Sequence, residues 1–386
     1  MEENQLIWPG SCVNTCRRKN TLNKFRTTST QTIGLFLIVA LLCVIGLLSL
    51  HSASYTPRGL LTKDFAKVQF VWILLSLVAI FAILKYGYVK LLDKAYILFA
   101  INILLLLLVL VIGQNRLGAR RWIGLGFFLL QPAELCKVTF MLALVRYVTD
   151  NQQKLNNVYA LIILFVATLI PVALIIMQPD LGTALTLLPI FFIVLFASGV
   201  RKRFLFFPII AGIACSPFLW NILKTYQKNR ILVFLNPNID PLGAGYTVIQ
   251  SKIAIGSGGF LGKGWMAGTQ NQLNFLPERH TDFIFSVIGE EWGFLGAILV
   301  LVLFLWLLIR LLKIADYTSD AAGRLLVIAA VGLLWFHIIV NIAMVMGLMP
   351  TVGLPLPFLT YGGSNLLTVM FLIALCKSVE QRHKMF

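Results

Sequence analysis

Ten apolar runs, each long enough to cross roughly 30 Å of hydrocarbon, divide this chain, and they decide what it can fold into. Hydrocarbon offers no partner to a backbone amide, so a segment that crosses it must satisfy its own N–H and C=O groups as a helix. The runs fall near 33–50, 68–84, 95–113, 134–148, 158–177, 181–199, 204–222, 283–309, 324–346 and 365–379. The fourth and tenth are short enough that nine or eleven crossings fit the same pattern. Only 12% of the 386 residues are charged against 59% hydrophobic, a balance that excludes an ordinary soluble globule. The expectation is an all-α polytopic membrane protein of about ten transmembrane helices.

Lys and Arg resist translocation and gather on the cytoplasmic side of short loops. Of the 32 in the chain, 19 fall before the first run, in alternate short loops, or after the last run. Both termini therefore read as cytoplasmic, and the long segment 223–282, between helices seven and eight, as an extracytoplasmic loop. The net charge of +17 follows from this topology and from attraction to anionic headgroups, which leaves no case for nucleic acid as a partner. Residues 1–31 form a basic cytoplasmic tail with no short apolar core or small-residue cleavage site, so the first helix serves as the insertion signal. Residues 32–380 read as one membrane domain and 381–386 as a short cytoplasmic tail. Cys43, Cys136, Cys215 and Cys376 lie inside apolar runs, and Cys12 with Cys16 in the tail makes no disulfide or metal framework.

Irregular sequence is concentrated in 114–133, 223–282 and 347–364, all on the outer face. Within the long loop, Tyr246 to Gly256 carries apolar residues at mixed helical spacing and is followed by Gly258, Gly259, Gly262 and Gly264. This reads as an amphipathic interfacial segment with a flexible glycine turn behind it.

Ionisable residues at membrane depth are costly and usually pair or line a cavity. Glu134 and Lys137 lie three residues apart on one helical face. They suit either a structural ion pair or the wall of a polar cavity in which Lys137 also meets an anionic substrate. Asp180 follows a proline and opens helix six, where an N-cap is the simpler role. Arg120 and Arg121 beside Trp122 suit phosphate or sugar recognition, or an interfacial anchor. Asp282 enters the eighth run directly from a polar stretch. Thr281 or Asp282 could merely cap that helix. The crowd of Glu278, Arg279, His280, Glu290 and Glu291 favours a catalytic site, because a carboxylate at the edge of hydrocarbon has a tunable proton affinity.

Five segments in order, Gly118 to Gly124 (GARRWIG), Gln131 to Lys137 (QPAELCK), Gln178 to Thr183 (QPDLGT), Phe275 to Phe285 (FLPERHTDFIF) and Leu354 to Ser364 (LPLPFLTYGGS), resemble the successive signatures of the SEDS family (shape, elongation, division, sporulation). The resemblance runs from about residue 33 to 380, and Gly262 to His280 is more similar to the RodA-type elongation branch than to the FtsW division branch. It implies a glycosyltransferase that polymerises lipid II for cell-wall elongation and rod shape at the outer face of the bacterial inner membrane. It implies as partners a class B penicillin-binding protein, the nascent glycan strand, other elongation-complex proteins and membrane lipids. By the same resemblance Asp282 is catalytic, and Glu134 with Lys137 is a charged pair needed for activity.

The residues suit that chemistry. Asp282 as general base would take the acceptor hydroxyl proton. The leaving group, undecaprenyl pyrophosphate, needs cations, for which Arg121, Lys137, Lys263 and Arg279 are available. Asp180, Glu278, His280, Thr281 and Ser364 complete the expected substrate contacts. A divalent cation is compatible with a pyrophosphate leaving group, but no ligand set with metal spacing requires a cofactor. The rival function is a lipid II flippase or transporter, which would hold its polar residues near the bilayer midplane rather than at helix ends. A noncatalytic scaffold is the third reading.

Overall fold

The computed structural model describes residues 34–55, 64–116, 119–125, 128–214, 216–240 and 243–383. The basic tail 1–31, with Cys12 and Cys16, and residues 384–386 lie outside the described residues. Helix α1 (Gly34–Ser54) is followed by α2 (Phe65–Tyr86), the short α3 (Tyr88–Asp93) and α4 (Ala95–Ile112). Three antiparallel strands come next: β1 (Gln114–Arg116), β2 (Ala119–Leu125) and β3 (Phe128–Leu130), in spatial order β1-β2-β3. The chain then runs through α5 (Pro132–Asp150), α6 (Val158–Met177), α7 (Leu181–Ala197), α8 (Lys202–Ala214) and α9 (Ser216–Ile222). Three helices interrupt the long loop, namely α10 (Thr225–Leu235), α11 (Ala244–Ser257) and α12 (Thr269–Gln272). The last three are α13 (Ile284–Tyr317), α14 (Ala321–Val345) and α15 (Gly363–His383).

Seven of these helices, α1, α2, α4, α6, α13, α14 and α15, are long and apolar enough to cross a membrane. Helix α7 is apolar but has 17 residues, and the seventh apolar run falls on two helices, α8 and α9. Helix α5 has the length, at 19 residues, but carries Glu134, Lys137, Arg146 and Asp150. Most of the surface of α14 and α15 is buried within the protein, whereas α2, α4 and α6 leave most of theirs exposed. A helix apolar on every side is stable exposed only where its solvent is hydrocarbon, so α14 and α15 are the core and α2, α4 and α6 face lipid.

Two parts depart from expectation. The all-α reading becomes a mostly helical one, because 114–133 folds partly as the small sheet. Its strands pair Asn115 with Arg120 and Gly124 with Leu129; β1 and β3, at three residues each, are too short to leave a period in sequence, and β2 does not alternate apolar with polar residues. The glycine turn after α11 is bonded rather than loose. Helix α13 breaks its helical dihedrals at Gly293 (φ 65°, ψ −158°), and the turn takes up the backbone groups freed there. Lys263 N donates to Glu290 O (3.0 Å), Gly264 N to Glu291 O (3.0 Å), and Phe294 N to Gly259 O (3.0 Å). A positive φ beside a contact this close requires glycine. Helix α11 in turn packs on α13, with Ser251 Oγ 2.8 Å from Ser286 Oγ and donating to Val345 O at 2.6 Å.

Candidate active site

Asp282 sits two residues before α13 in a stretch that turns back on itself. Glu278 adopts φ 50°, and the N–H groups of Thr281 and Phe283 both return to Glu278 O, at 3.1 and 3.4 Å. The N-cap of α13 is Phe283, and no side chain caps this helix, so capping accounts for neither Thr281 nor Asp282. Thr281 Oγ1 instead donates to Glu278 Oε2 at 3.0 Å. Among the described residues no hydrogen bond or ion pair reaches the half-buried Asp282 carboxylate. Its Oδ2 lies against the backbone of Gly353 (φ 72°), 3.2 Å from where a Cβ would stand.

An unpartnered carboxylate pressed on protein loses hydration, and the charged form suffers. Burial is the main reason that the Asp282 pKa is pushed up to about 6, with the like charges of Glu278 and Asp180 adding and the cations Arg230 and Arg121 opposing. Such a group is ionised at neutral pH yet basic enough to take a proton.

Around it, the family-type segments converge. Asp180 caps α7, accepting from Thr183 N at 3.2 Å, and also accepts from Gln131 Nε2 at 3.0 Å. Arg121 on β2 stands 3.7 Å from the Asp180 carboxylate and donates to the carbonyls of Gln178 (3.1 Å) and Pro179. Ser364, at the start of α15, accepts from Gln131 N and donates to Leu129 O, both at 3.1 Å. His280 stacks on Phe65 with ring centroids 4.1 Å apart, and its carbonyl accepts from Tyr361 N at 3.0 Å. A narrow recess is lined by Arg230, whose charge Asp282 feels, with Val233, Lys252, Pro350 and Thr351. A larger cavity of about 490 Å³ lies elsewhere, among Tyr88, Arg146, Thr149, Asp320 and Arg382, and shares no residue with this site.

Three cations named from the sequence are committed to other contacts. Lys137 is buried with its Nζ 2.8 and 2.7 Å from the two Glu134 oxygens and 3.3 Å from His337 Nε2, so it forms the ion pair and a further contact that the sequence did not suggest. Lys263 donates to Glu290 Oε1 and to Thr269 Oγ1, each at 2.8 Å. Arg279 is buried and spends its guanidinium on Ala53 O (2.9 Å), Asn271 O (2.5 Å), Asn274 Oδ1 and Tyr55 O (3.4 Å), and burial lowers its pKa. Glu290 and Glu291 face the loop: Glu290 accepts from Gln270 N (2.9 Å) and Asn271 N (3.2 Å), and Glu291 from Asn271 Nδ2 (3.0 Å) and Ser52 Oγ. Among the described residues no group of three or more His, Cys, Asp or Glu is placed to hold a metal ion.

Sequence reasoning passed over Arg230, His337, Asn341 and Gly353. The two α14 residues carried a usable signal, since each is polar within an apolar helix. Asn341 Nδ2 donates to Asp282 O (2.9 Å) and to Leu354 O (2.7 Å). Arg230 carried none, because its approach to Asp282 depends on how the long loop folds.

Comparison with known proteins shows the family. A family model for the FtsW, RodA and SpoVE group, described as a cell cycle protein, matches residues 33–385. Peptidoglycan glycosyltransferase MrdB of Escherichia coli (strain K12) is 38% identical over 355 residues, covering 91% of this chain and 94% of its own. Peptidoglycan glycosyltransferase RodA of Treponema pallidum is 33% identical over 421 residues, covering 90% and 97%. Among solved structures, a chain from work on the coordination of polymerization and crosslinking by a peptidoglycan synthase complex is similar with a TM-score of 0.76 at 36% identity, covering 91% of this chain and 97% of that one. The rod shape determining protein RodA of Thermus thermophilus gives a TM-score of 0.66 at 30% identity, covering 91% and 96%. The chain belongs to the FtsW/RodA/SpoVE family.

Proposed function

We propose that this chain is a RodA-type peptidoglycan glycosyltransferase that polymerises lipid II at the outer face of the bacterial inner membrane, with Asp282 as general base. The observation that carries the reading is the half-buried Asp282 carboxylate, which has no hydrogen-bond or ion-pair partner among the described residues and a pKa near 6. In the reaction, an acceptor sugar hydroxyl gives its proton to Asp282 as its oxygen bonds to the anomeric carbon of the donor. The bond from that carbon to undecaprenyl pyrophosphate breaks, and the lipid pyrophosphate leaves with the electron pair. One base facing the leaving group suits inversion at that carbon, by analogy with glycoside hydrolysis.

Helices α1, α2, α4, α5, α6, α7, α8 with α9, α13, α14 and α15 make ten crossings, with both termini in the cytoplasm and α10 to α12 in the outer loop. The Glu134–Lys137 pair neutralises the charge that α5 carries into the bilayer. Arg121, Asp180, Asp282 and Ser364 belong to a strand, an N-cap, a pre-helical turn and a first helical turn. Positions on a strand and at helix ends favour surface chemistry over a translocation path through the midplane. The similarity to a chain of a peptidoglycan synthase complex supports a crosslinking partner, a class B penicillin-binding protein.

The test is reconstitution with that partner and labelled lipid II. Wild type forms glycan strands, and Asp282→Asn binds the partner but forms none. Strands from Asp282→Asn at the wild-type rate would remove Asp282 from the mechanism. Transfer of lipid II between leaflets without polymer would replace the enzyme by a flippase.

A further inference from the structure

The buried Glu134–Lys137 pair is joined to the Asp282 backbone through one face of α14. His337 and Asn341 are four residues apart and so lie one above the other on that helix. Lys137 Nζ stands 3.3 Å from His337 Nε2, and His337 Nδ1 stands 3.2 Å from Pro355 O. An ammonium can only donate, so Nε2 accepts, the ring proton is on Nδ1, and Nδ1–H donates to Pro355 O. One turn on, Asn341 Nδ2 divides its two hydrogens between Leu354 O at 2.7 Å and Asp282 O at 2.9 Å. Asn341 is fully buried, and its Oδ1 has no hydrogen-bond partner among the described residues, so the amide contributes through its two N–H bonds. The gripped residues, Leu354 and Pro355, directly follow Gly353, on whose backbone the Asp282 carboxylate rests.

We propose that His337 and Asn341 are positioning residues: a bracket on α14 that transmits the placement of the Glu134–Lys137 pair to the 353–355 segment and to the Asp282 backbone, and so aims the base. The inference rests on the reading of Asp282 as base. The Lys137, His337 and Asn341 side chains are themselves buried, and their bonds end on buried or part-buried partners, where a lost bond is costly and geometry is held tightly. A base displaced by about 1 Å can cost on the order of a hundredfold in rate.

The test uses the full chain with its crosslinking partner and measures kcat, KM and the pH dependence of lipid II polymerisation. Asn341→Ala is expected to lower kcat roughly ten- to hundredfold while KM changes less than about threefold. The acid limb also moves, because a carboxylate released from Gly353 regains water and its pKa falls from about 6 toward that of an ordinary aspartate. Glu278, Asp180, Arg230 and Arg121, the other charges that Asp282 feels, are untouched by the change. A fold defect alone would reduce the active fraction and leave the limb where it is. Lys137→Met combined with Asn341→Ala should lose less than the product of the two single losses, since both act through one bracket. Asn341→Ser keeps one donor and should fall between wild type and Asn341→Ala, and it carries the same comparison if the alanine variant does not fold. A wild-type kcat for Asn341→Ala, or a reduced kcat with an unmoved acid limb and a multiplicative double loss, overturns the bracket and leaves Asp282 as base. Polymer from Asp282→Asn overturns the base itself.

Discussion

Asp282 and Glu290 are carboxylates eight residues apart on the same rising segment, and their surroundings are opposite. Glu290 is fully buried and satisfied by the Lys263 ammonium, the Thr269 hydroxyl and the backbone N–H groups of Gln270 and Asn271. It anchors the first turn of α12 and, with Glu291, fastens the long loop to α13. Asp282 has none of these partners, and lies against a glycine backbone. A carboxylate that serves the fold is surrounded by donors. One that serves chemistry is left short of them, at a cost in stability that the rest of the molecule offsets.

Substitution separates the two roles. Asp282→Asn should lower the polymerisation rate by about a thousandfold or more while the protein stays folded, which a lipid II assay beside a thermal melt would measure. Glu290→Ala should act on the fold, destabilising by about 3–5 kcal/mol because Lys263 and two amides lose their acceptor. A protein that melts like wild type after this change would break the contrast. Gly353→Ala should reduce kcat about tenfold, since the added Cβ meets Asp282 Oδ2 at 3.2 Å and φ 72° strains any other residue. An unchanged rate there would mean that the carboxylate does not rest where the geometry has it.

The smallest effect is a gain. The folded pKa of Asp282, about 6, lies above its ordinary value of 3.8, so the folded state favours the protonated group. That contribution is complete below about pH 4 and is lost as pH rises through 6, where the ionised side chain costs stability. Asp282→Asn should therefore stabilise the protein above pH 7 by about 1–2 kcal/mol after allowance for its partial exposure, read as a higher melting midpoint, and should change little near pH 4. The reverse pattern would contradict the pKa direction.

Much of this was legible from residues alone, and the failures have identifiable causes. The apolar runs located the long helices because hydrocarbon admits only self-satisfied backbone. Helix α13 continues to Tyr317, beyond its apolar run, and inside that run it breaks its helical dihedrals at Gly293, where the bonds to the glycine turn are tertiary features that leave no period in sequence. Asp282, Asp180, Arg121 and Ser364 were visible as polar groups at helix ends, and the fold gathers them. The commitments of Arg279 were not visible, since its acceptors include the carbonyls of Ala53 and Tyr55, more than two hundred residues earlier. His337 and Asn341 were readable as polar residues in an apolar helix, but their partners, the Lys137 ammonium and the backbone carbonyls of Asp282, Leu354 and Pro355, are brought to them by the fold and carry no sequence signature.

The central claim is that the ionised Asp282 carboxylate takes the acceptor proton, and the pH dependence of the initial rate of lipid II polymerisation tests it most directly. Wild type should show a single acid limb with a midpoint near 6. A rate that stays flat down to pH 4, or an Asp282→Asn variant that reproduces the wild-type limb, would contradict the account.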